Sequence, residues 1–463
     1  MSAPTGSFGL LVVVAALGLS TATTNPGPTF AAVLSLAMIV RLLWQPGLPP
    51  VLLFICFMQW LQGAIMTFHA DLFGVELRTM TYARHIEEAT YYTLAWVSMI
   101  AFGAHLATRN LAPSTAATTH SAVFSMPRLV MVYGVWTVVL RVLEAAVPGQ
   151  AQQVFGALET LRWAFVYALF ALGWSMGRGR LIVVGILTAE VAFGFLSFFS
   201  NFKTPLYLFA IALVSSGYRP TLRQYVVLGL VFAATLYFGV VWSSIKREYR
   251  NELSGGRGVS SQEVVLSPEQ RFDVFVDLVG SIDNRMLENG AESLAKRIAY
   301  VDYFAYVLGY VPRVEPHEEG RIWLNAFSHV FLPRILFPDK AQLESDTVIA
   351  ERYTGLDLGA GTGTSITIGL PAETYVDLGP IMMFFVALIL GLMYGSGYRY
   401  FLRMRYAGVI AQGVAVAVHV GMSSVGPAAT KVLGGYLAVL IVGVGLWKLG
   451  WPILARFLRV QSR

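Results

Sequence analysis

Two carboxylates four residues apart, Glu373 and Asp377, stand in the stretch Gly369-Leu-Pro-Ala-Glu-Thr-Tyr-Val-Asp-Leu-Gly379, just ahead of an apolar run. At that spacing they share one helical face, where a carboxylate could orient or deprotonate a sugar hydroxyl. The same placement suits acids that complement a helix macrodipole. A second set is cationic: Lys203, Lys246, Arg247, Arg250, Arg297, Arg334 and Lys340, all at or near the ends of apolar runs. Arginine holds phosphate oxygens bidentately and lysine acts as a point charge, so the group suits a diphosphate. Singly, each also suits snorkelling to headgroups or pairing with a loop carboxylate. Lys203 is the sharpest case, since Asn201-Phe-Lys-Thr-Pro is a very short turn between two apolar runs. An ammonium there calls for a bound anion or a carboxylate. Tyr303, Trp323 and Tyr375 offer rings that could stack on sugar faces or pack at a membrane interface.

Motifs of soluble enzymes are missing: no GxxxxGK[ST], HExxH, GxSxG or CxxC occurs. The glycine run that starts at Gly359 lacks the lysine of a phosphate loop and reads as a turn. His317 with Glu315, Glu318 and Glu319 reads as a solvated acidic run before it reads as a cation site, so no metal is expected. Cys56, the single cysteine, can form neither an intramolecular disulfide nor a thiolate cluster. The net charge of +6 is scattered over loop ends without forming a stripe, so nucleic acid is not an expected partner.

The elements that must position these groups are membrane helices. With 56% of residues hydrophobic and 13% charged, the chain has too little polar surface to cover a soluble globule. A bilayer core requires about 20 mostly apolar residues per helix. Such runs recur at 8–24, 29–44, 49–69, 91–107, 129–147, 157–176, 181–200, 206–216, 225–245, 381–398, 409–425 and 432–454. They predict an all-α polytopic membrane protein with about twelve transmembrane helices. The first run follows an uncharged start without the basic region of a secretory signal, and we expect it to be retained. Arg41, Arg109, Arg128, Arg178, Arg180, Arg219, Arg223, Arg399, Arg403, Arg405, Arg456, Arg459 and Arg463 all fall on one side of this alternation. Asp71, Glu76, Glu87, Glu88 and one long acid-rich segment fall on the other. The positive-inside tendency makes the arginine side cytoplasmic, with both termini. The chain then divides into an N-terminal bundle of about nine helices (1–245), a large extracytoplasmic loop (246–373) and about three C-terminal spans (374–463). The cations named above lie on the outer side, against the prevailing bias.

Within the loop, 254–267 is rich in Gly, Ser and charge and carries no core of its own. A capped helix is expected from Pro268, after Ser267, with Phe272, Phe275, Val276 and Val279 on one face. A second, aromatic helix is expected over 297–311, lying at the membrane interface. The apolar stretch 322–337 is broken by Pro333 and Pro338 and reads as interfacial or re-entrant.

Pro333-Arg-Ile-Leu-Phe-Pro-Asp-Lys340, followed by Gly369 through Gly379, resembles the Wzy-type oligosaccharide repeat-unit polymerases of bacterial O-antigen and exopolysaccharide synthesis. Arg334, Pro338 and Lys340 match an Arg-Xaa-Xaa-Xaa-Pro-Xaa-Lys-like element of that family. Glu373, Tyr375, Asp377 and Gly379 match a Gly-Glu-Tyr-Asp-Gly-like entry to the next helix, although here Glu373 follows Leu-Pro-Ala and not the glycine. The turn holding Lys203 resembles a lysine turn found earlier in such chains. The resemblance implies a GT-C-like membrane glycosyltransferase of the inner membrane that joins undecaprenyl-diphosphate-linked oligosaccharides without metal or cofactor. Glu373, Asp377 and Arg334 would be catalytic. Lys203, Arg250, Arg297, Arg334 and Lys340 would hold the diphosphate, and Tyr303, Trp323 and Tyr375 the sugars. Membrane lipid is an expected partner, with a chain-length regulator and a flippase of the same pathway. An O-antigen ligase, or a transporter or flippase of lipid-linked sugars, is the alternative.

Overall fold

A computed structural model describes residues 6–81, 83–111, 124–144, 152–175, 179–196, 203–216, 222–255, 265–331, 337, 344–360, 365–404 and 408–458. The described part of every apolar run expected to span lies mainly on a helix. These are α1 (Gly6–Thr21), α2 (Pro26–Leu43), α3 (Val51–Leu72), α4 (Ile86–Thr108), α5 (Met126–Glu144), α6 (Gln152–Ser175), α7 (Arg180–Leu196), α8 (Lys203–Ser215) and α9 (Leu222–Leu253). After the polar segment follow α15 (Leu370–Leu402), α16 (Gly408–Val420), α17 (Ala429–Leu449) and α18 (Trp451–Leu458). The helices between are α10 (Pro268–Gly280), α11 (Asn284–Ile298), α12 (Val301–Tyr310), α13 (Arg321–Phe331) and α14 (Asp346–Thr354). No β-strand occurs among the described residues. Among the described residues, six helices are long and apolar enough to cross a membrane: α2, α3, α5, α6, α15 and α17.

The closest packing in the core joins α4 to α15, and small residues make it possible. A Cβ on Gly391 would run into the carbonyl oxygen of Ile100, and one on Gly395 into that of Ala104. Reciprocally, a Cβ on Gly103 would strike the backbone of Leu388. Gly391 and Gly395 form a Gly-xxx-Gly ridge, which lets two helix backbones approach in a lipid setting where dispersion and packing drive association. Gly413 of α16 meets the backbone of Ala164 in α6 in the same manner.

Helix α15 is two helices joined at a kink. Gly379 has φ +76°, which interrupts the run just before Pro380, and a proline there removes a backbone donor. Gly369, immediately before the helix, has φ +88°. Both positions favour residues without a Cβ. The segment 370–378 is therefore a separate, mostly buried helical piece.

The polar segment differs in three places from the pattern read in the sequence. First, α9 runs to Leu253. At 1.5 Å per residue its 32 residues are about 48 Å long, so Lys246, Arg247 and Arg250 continue a helix and do not open a loop. Second, Ser267 does cap α10, accepting from the Gln270 amide while Gln270 reaches back. Yet the face that packs on α9 carries Val274, Phe275 and Leu278. Phe272 and Val276 remain exposed. Third, the aromatic helix expected over 297–311 breaks at Ala299 and Tyr300. Its amphipathic part α11 starts at a true cap, with Asp283 accepting from the Met286 amide at 2.7 Å. The apolar part α12 enters the core, where Phe304 is 2% exposed, so this ring packs inside the protein and not at an interface.

Candidate active site

The 370–378 piece owes its position to hydrogen bonds that its own carboxylates accept. Asp377 is fully buried. Its Oδ1 accepts from the Ile322 amide and its Oδ2 from the Trp323 amide, both at 2.9 Å. These are first-turn N–H groups of α13, left without intrahelical partners and carrying the positive end of the helix dipole. The Gly320 amide adds a bond to the Asp377 carbonyl at 3.2 Å and the Glu318 amide one to the Val376 carbonyl at 3.0 Å. Four residues earlier, on the same face, Glu373 is 4% exposed. Its Oε2 accepts from the Ala429 amide, the first residue of α17, at 2.7 Å. The acid pair thus meets the starts of α13 and α17, and Glu373 also stands in the first turn of its own helix, as the dipole reading of the sequence expects.

The two acids differ in what remains free. Both oxygens of Asp377 are engaged, whereas Oε1 of Glu373 has no hydrogen-bond partner among the described residues. Asp346, Lys431 and Asp377 act electrostatically on Glu373, and Glu373 acts in turn on the Tyr300 hydroxyl. Lys431 pairs with Asp346, and Ser365 Oγ donates to Asp346 Oδ2 at 2.9 Å. The Tyr300 hydroxyl shares a 2.6 Å bond with Thr367 Oγ1, which in turn donates to the Gly426 carbonyl. Burial pushes the Tyr300 hydroxyl above its ordinary pKa, so it acts as a hydrogen-bonding group and not as an anion.

The floor of this cluster is the turn 421–428 between α16 and α17. It is strapped down by α3, through Gln59 Nε2 to the Met422 carbonyl at 2.7 Å and Gln62 Nε2 to the Ser423 carbonyl at 3.0 Å. Gln62 Oε1 also accepts from the Val425 amide at 2.9 Å. The Leu370 amide closes the ring by donating to the Val425 carbonyl at 2.7 Å. Both glutamines lie within α3, so an amide-lined floor is held inside apolar helices.

The three aromatic residues separate. Trp323 is 7% exposed and donates its Nε1–H to Thr374 Oγ1 at 3.2 Å, which leaves no open face for a sugar. Tyr375 is 7% exposed. It packs between Phe304, His317 and Tyr92 and donates its hydroxyl to the Val311 carbonyl at 3.3 Å. Tyr303 is half-buried, with its ring centroid 6.1 Å from that of Tyr300, and of the three it is nearest to open space. His317 bonds the Val376 carbonyl at 3.1 Å. Glu318 accepts from Arg321 at 2.7 Å and from the Tyr353 hydroxyl at 2.8 Å. That phenol is pushed up to about 12 by burial and by Glu318. The run Glu315 to Glu319 thus ties α13 to α14. No group of three metal-ligating side chains occurs among the described residues.

Of the expected cations, Lys203 is the exposed first residue of α8, and Arg250 is half-buried in the last turn of α9. Arg297 lies in α11, its side chain outside the described set, and Arg334 and Lys340 lie outside the described residues. The glycine run is described only to Ala360, where the Leu358 and Ala360 amides both bond Glu351 Oε1 at 2.9 Å. Cys56 is buried and free.

Two groups escaped the sequence reading. Lys431 follows a predicted outer turn, so the argument that singled out Lys203 applies to it equally. The second is inside the bundle, where span interiors were read as mostly apolar. Arg162 of α6 pairs with Glu190 of α7, and Tyr133 of α5 donates to the same Glu190 oxygen. The Arg162 guanidinium also lies 4.4 Å from the Trp163 ring centroid. Its signal was a single ionisable residue, Glu190, in the middle of an otherwise apolar run. No family model, no curated protein and no solved structure matches this chain, so its own geometry carries the functional reading.

Proposed function

We propose that this chain is a GT-C-like membrane glycosyltransferase of the bacterial inner membrane. It has about twelve transmembrane helices and both termini in the cytoplasm. It polymerises undecaprenyl-diphosphate-linked oligosaccharide repeat units at the outer leaflet. The observation that carries this reading is Glu373: a carboxylate almost fully buried, clamped by one oxygen to the start of α17, and acted on electrostatically by the paired charges of Asp346 and Lys431. Such a group is held by the fold in one orientation, as a general base must be.

In the proposed step, a hydroxyl of one repeat unit attacks the anomeric carbon of the growing chain, and its proton passes to Glu373 Oε1. The bond from the anomeric carbon to the diphosphate oxygen breaks, and the electron pair leaves with undecaprenyl diphosphate. Lys431, with Lys203, Arg250, Arg297, Arg334 and Lys340, stabilises that leaving charge. Asp377 positions α13, which leads to Arg334. Tyr303 is the aromatic group suited to touch sugar, while Trp323 and Tyr375 support the walls.

The test is deletion of the gene followed by sizing of lipid-linked surface glycans. Accumulation of single repeat units supports polymerisation, long chains that never reach the lipid A core indicate a ligase, and loss of every outer-leaflet intermediate indicates a flippase. An E373Q variant that is stably inserted and yields normal chain lengths removes Glu373 from the proposed role. One observation favours the transporter reading, the charged triad Arg162–Glu190–Tyr133 inside the bundle, since intramembrane charges mark substrate paths. Arg162 and Glu190 satisfy each other with side chains 11% and 6% exposed, which describes a closed structural pair. Normal polymer in an R162M/E190M double variant would retire that reading.

A further inference from the structure

We infer that an apolar groove at the end of α17 remote from Glu373 binds the acyl chains of an anionic phospholipid, with its phosphate met by Arg128, Lys448 and Arg456. The groove has a volume of about 480 Å³ and runs between α5, α6, α16, α17 and α18. Its walls include Trp136, Phe165, Ile410, Trp447, Trp451 and Phe457, and every residue lining it is apolar or glycine. Beside it, Val135, Val138, Ile441 and Ile453 are 57–74% exposed, so it opens onto an apolar outer surface of the kind that faces lipid tails. Water gains no hydrogen bonds in such a space, whereas a hydrocarbon chain fills it without loss.

Charge selects the headgroup. Arg128, Lys448 and Arg456 are all exposed at the ends of the elements that form the groove. Arg128 Nη1 donates to the Phe457 carbonyl at 2.9 Å, and the Ser125 amide bonds the Leu458 carbonyl at 3.0 Å. These contacts fasten α18 to the start of α5 and close one wall. Trp447 and Trp451 stack with centroids 4.6 Å apart at the rim, where indoles favour the headgroup level. Residues 403–463 contain no Asp or Glu, so no acidic side chain of that stretch competes for the three cations. Basic sites between helices of this sort recognise anionic headgroups.

Position separates this site from the proposed catalytic one. From Ala429, which binds Glu373, to Gly450 the α17 helix rises about 30 Å, the thickness of a hydrocarbon core. The groove therefore belongs to the opposite leaflet from the Glu373 cluster, the one occupied by resident phospholipid and not by a substrate presented at that cluster.

The full-length protein reconstituted in phosphatidylcholine vesicles gives the test, by quenching of tryptophan fluorescence with brominated lipids. The signal is the part of the quenching absent from a W447F variant. Brominated phosphatidylglycerol should quench at lower mole fraction than brominated phosphatidylcholine, by roughly five-fold for each cation engaged. The R128Q/K448Q/R456Q variant should lose that preference while quenching by the zwitterionic lipid persists, and V132F, which narrows the groove, should weaken both. Equal quenching by the two lipids in the wild type overturns the proposal without reliance on any variant. Displacement of brominated phosphatidylglycerol by undecaprenyl phosphate at a far lower mole fraction than by unlabelled phosphatidylglycerol also overturns it, by assigning the groove to a polyprenyl chain.

Discussion

Replacing Asp377 by asparagine should damage the fold around α13, whereas replacing Glu373 by glutamine should damage turnover. Asp377 is fully buried and divides its two oxygens between the amides of Ile322 and Trp323. Asparagine has one oxygen, so one amide loses its acceptor in a place water does not reach. An unsatisfied buried donor costs about 1–3 kcal/mol, and loss of the negative charge at a partly buried helix N-terminus costs up to about 2 kcal/mol. Together D377N should destabilise the region by roughly 2–4 kcal/mol. The Glu373 carboxylate accepts one hydrogen bond among the described residues, from the Ala429 amide, and the glutamine oxygen accepts it equally well. The expected stability cost of E373Q is therefore below about 1 kcal/mol. The assay pairs thermal melting of the purified protein with labelling of a cysteine placed at Leu324, on the exposed side of α13, and with hydrogen exchange at residues 321–331. D377N should melt earlier and exchange faster over those residues. E373Q should melt as the wild type and accumulate unpolymerised repeat units. If D377N keeps wild-type melting and exchange yet loses polymer as fully as E373Q, then the assignment of Asp377 as a positioning residue is wrong.

Further outcomes follow from particular contacts. Gly391→Leu should prevent close approach of α4 and α15, because its side chain meets the Ile100 carbonyl; expression of monodisperse protein should fall sharply, whereas Gly445→Ala, with nothing within 4 Å, should melt at or slightly above the wild type. Removing one partner of the buried ion pair, as in E190Q or R162M, should lower stability by about 3–5 kcal/mol, and the double variant R162M/E190M should recover much of that loss in the same melting assay. Asp302, in α12, has its carboxyl held above the ordinary range chiefly by burial, with Lys296 acting the other way, and its Oδ1 is buried without a hydrogen bond. A folded-state pKa above the unfolded one means that stability is lost as pH rises through the folded value. D302N should therefore raise the melting temperature at pH 7, and the gain should fade as pH falls below that value; a constant gain at all pH would refute the charge argument. K431A should weaken substrate capture, visible as slower polymerisation at low donor that recovers at high donor.

Helix positions were legible because hydropathy is a transfer free energy that each residue carries alone. The runs at 29–44 and 49–69, for instance, became Pro26–Leu43 and Val51–Leu72. The Ser267 cap was legible for a similar reason, since its partner Gln270 is three residues away. The two glycines that bracket Glu373 and Asp377 were visible too, and their positive φ values give the reason for glycine there. The face of α10 that packs was not legible. Phe272 and Phe275 are equally apolar, and only the position of Trp242 and Tyr249 on α9 chooses Phe275.

The acids and aromatic residues of the candidate site show the same division. Sequence spacing by itself put Glu373 and Asp377 on one helical face. Their different fates were decided by partners 54 to 56 residues away, the amides of Trp323 and Ala429, which no local pattern contains. Burial of the Trp323 indole against Thr374 and pairing of Arg162 with Glu190 belong to the same class. A charge or ring in a sequence states what interaction it needs. Which group supplies that interaction, and whether any valence is left for a substrate, is fixed only when distant segments are brought within a hydrogen bond of one another.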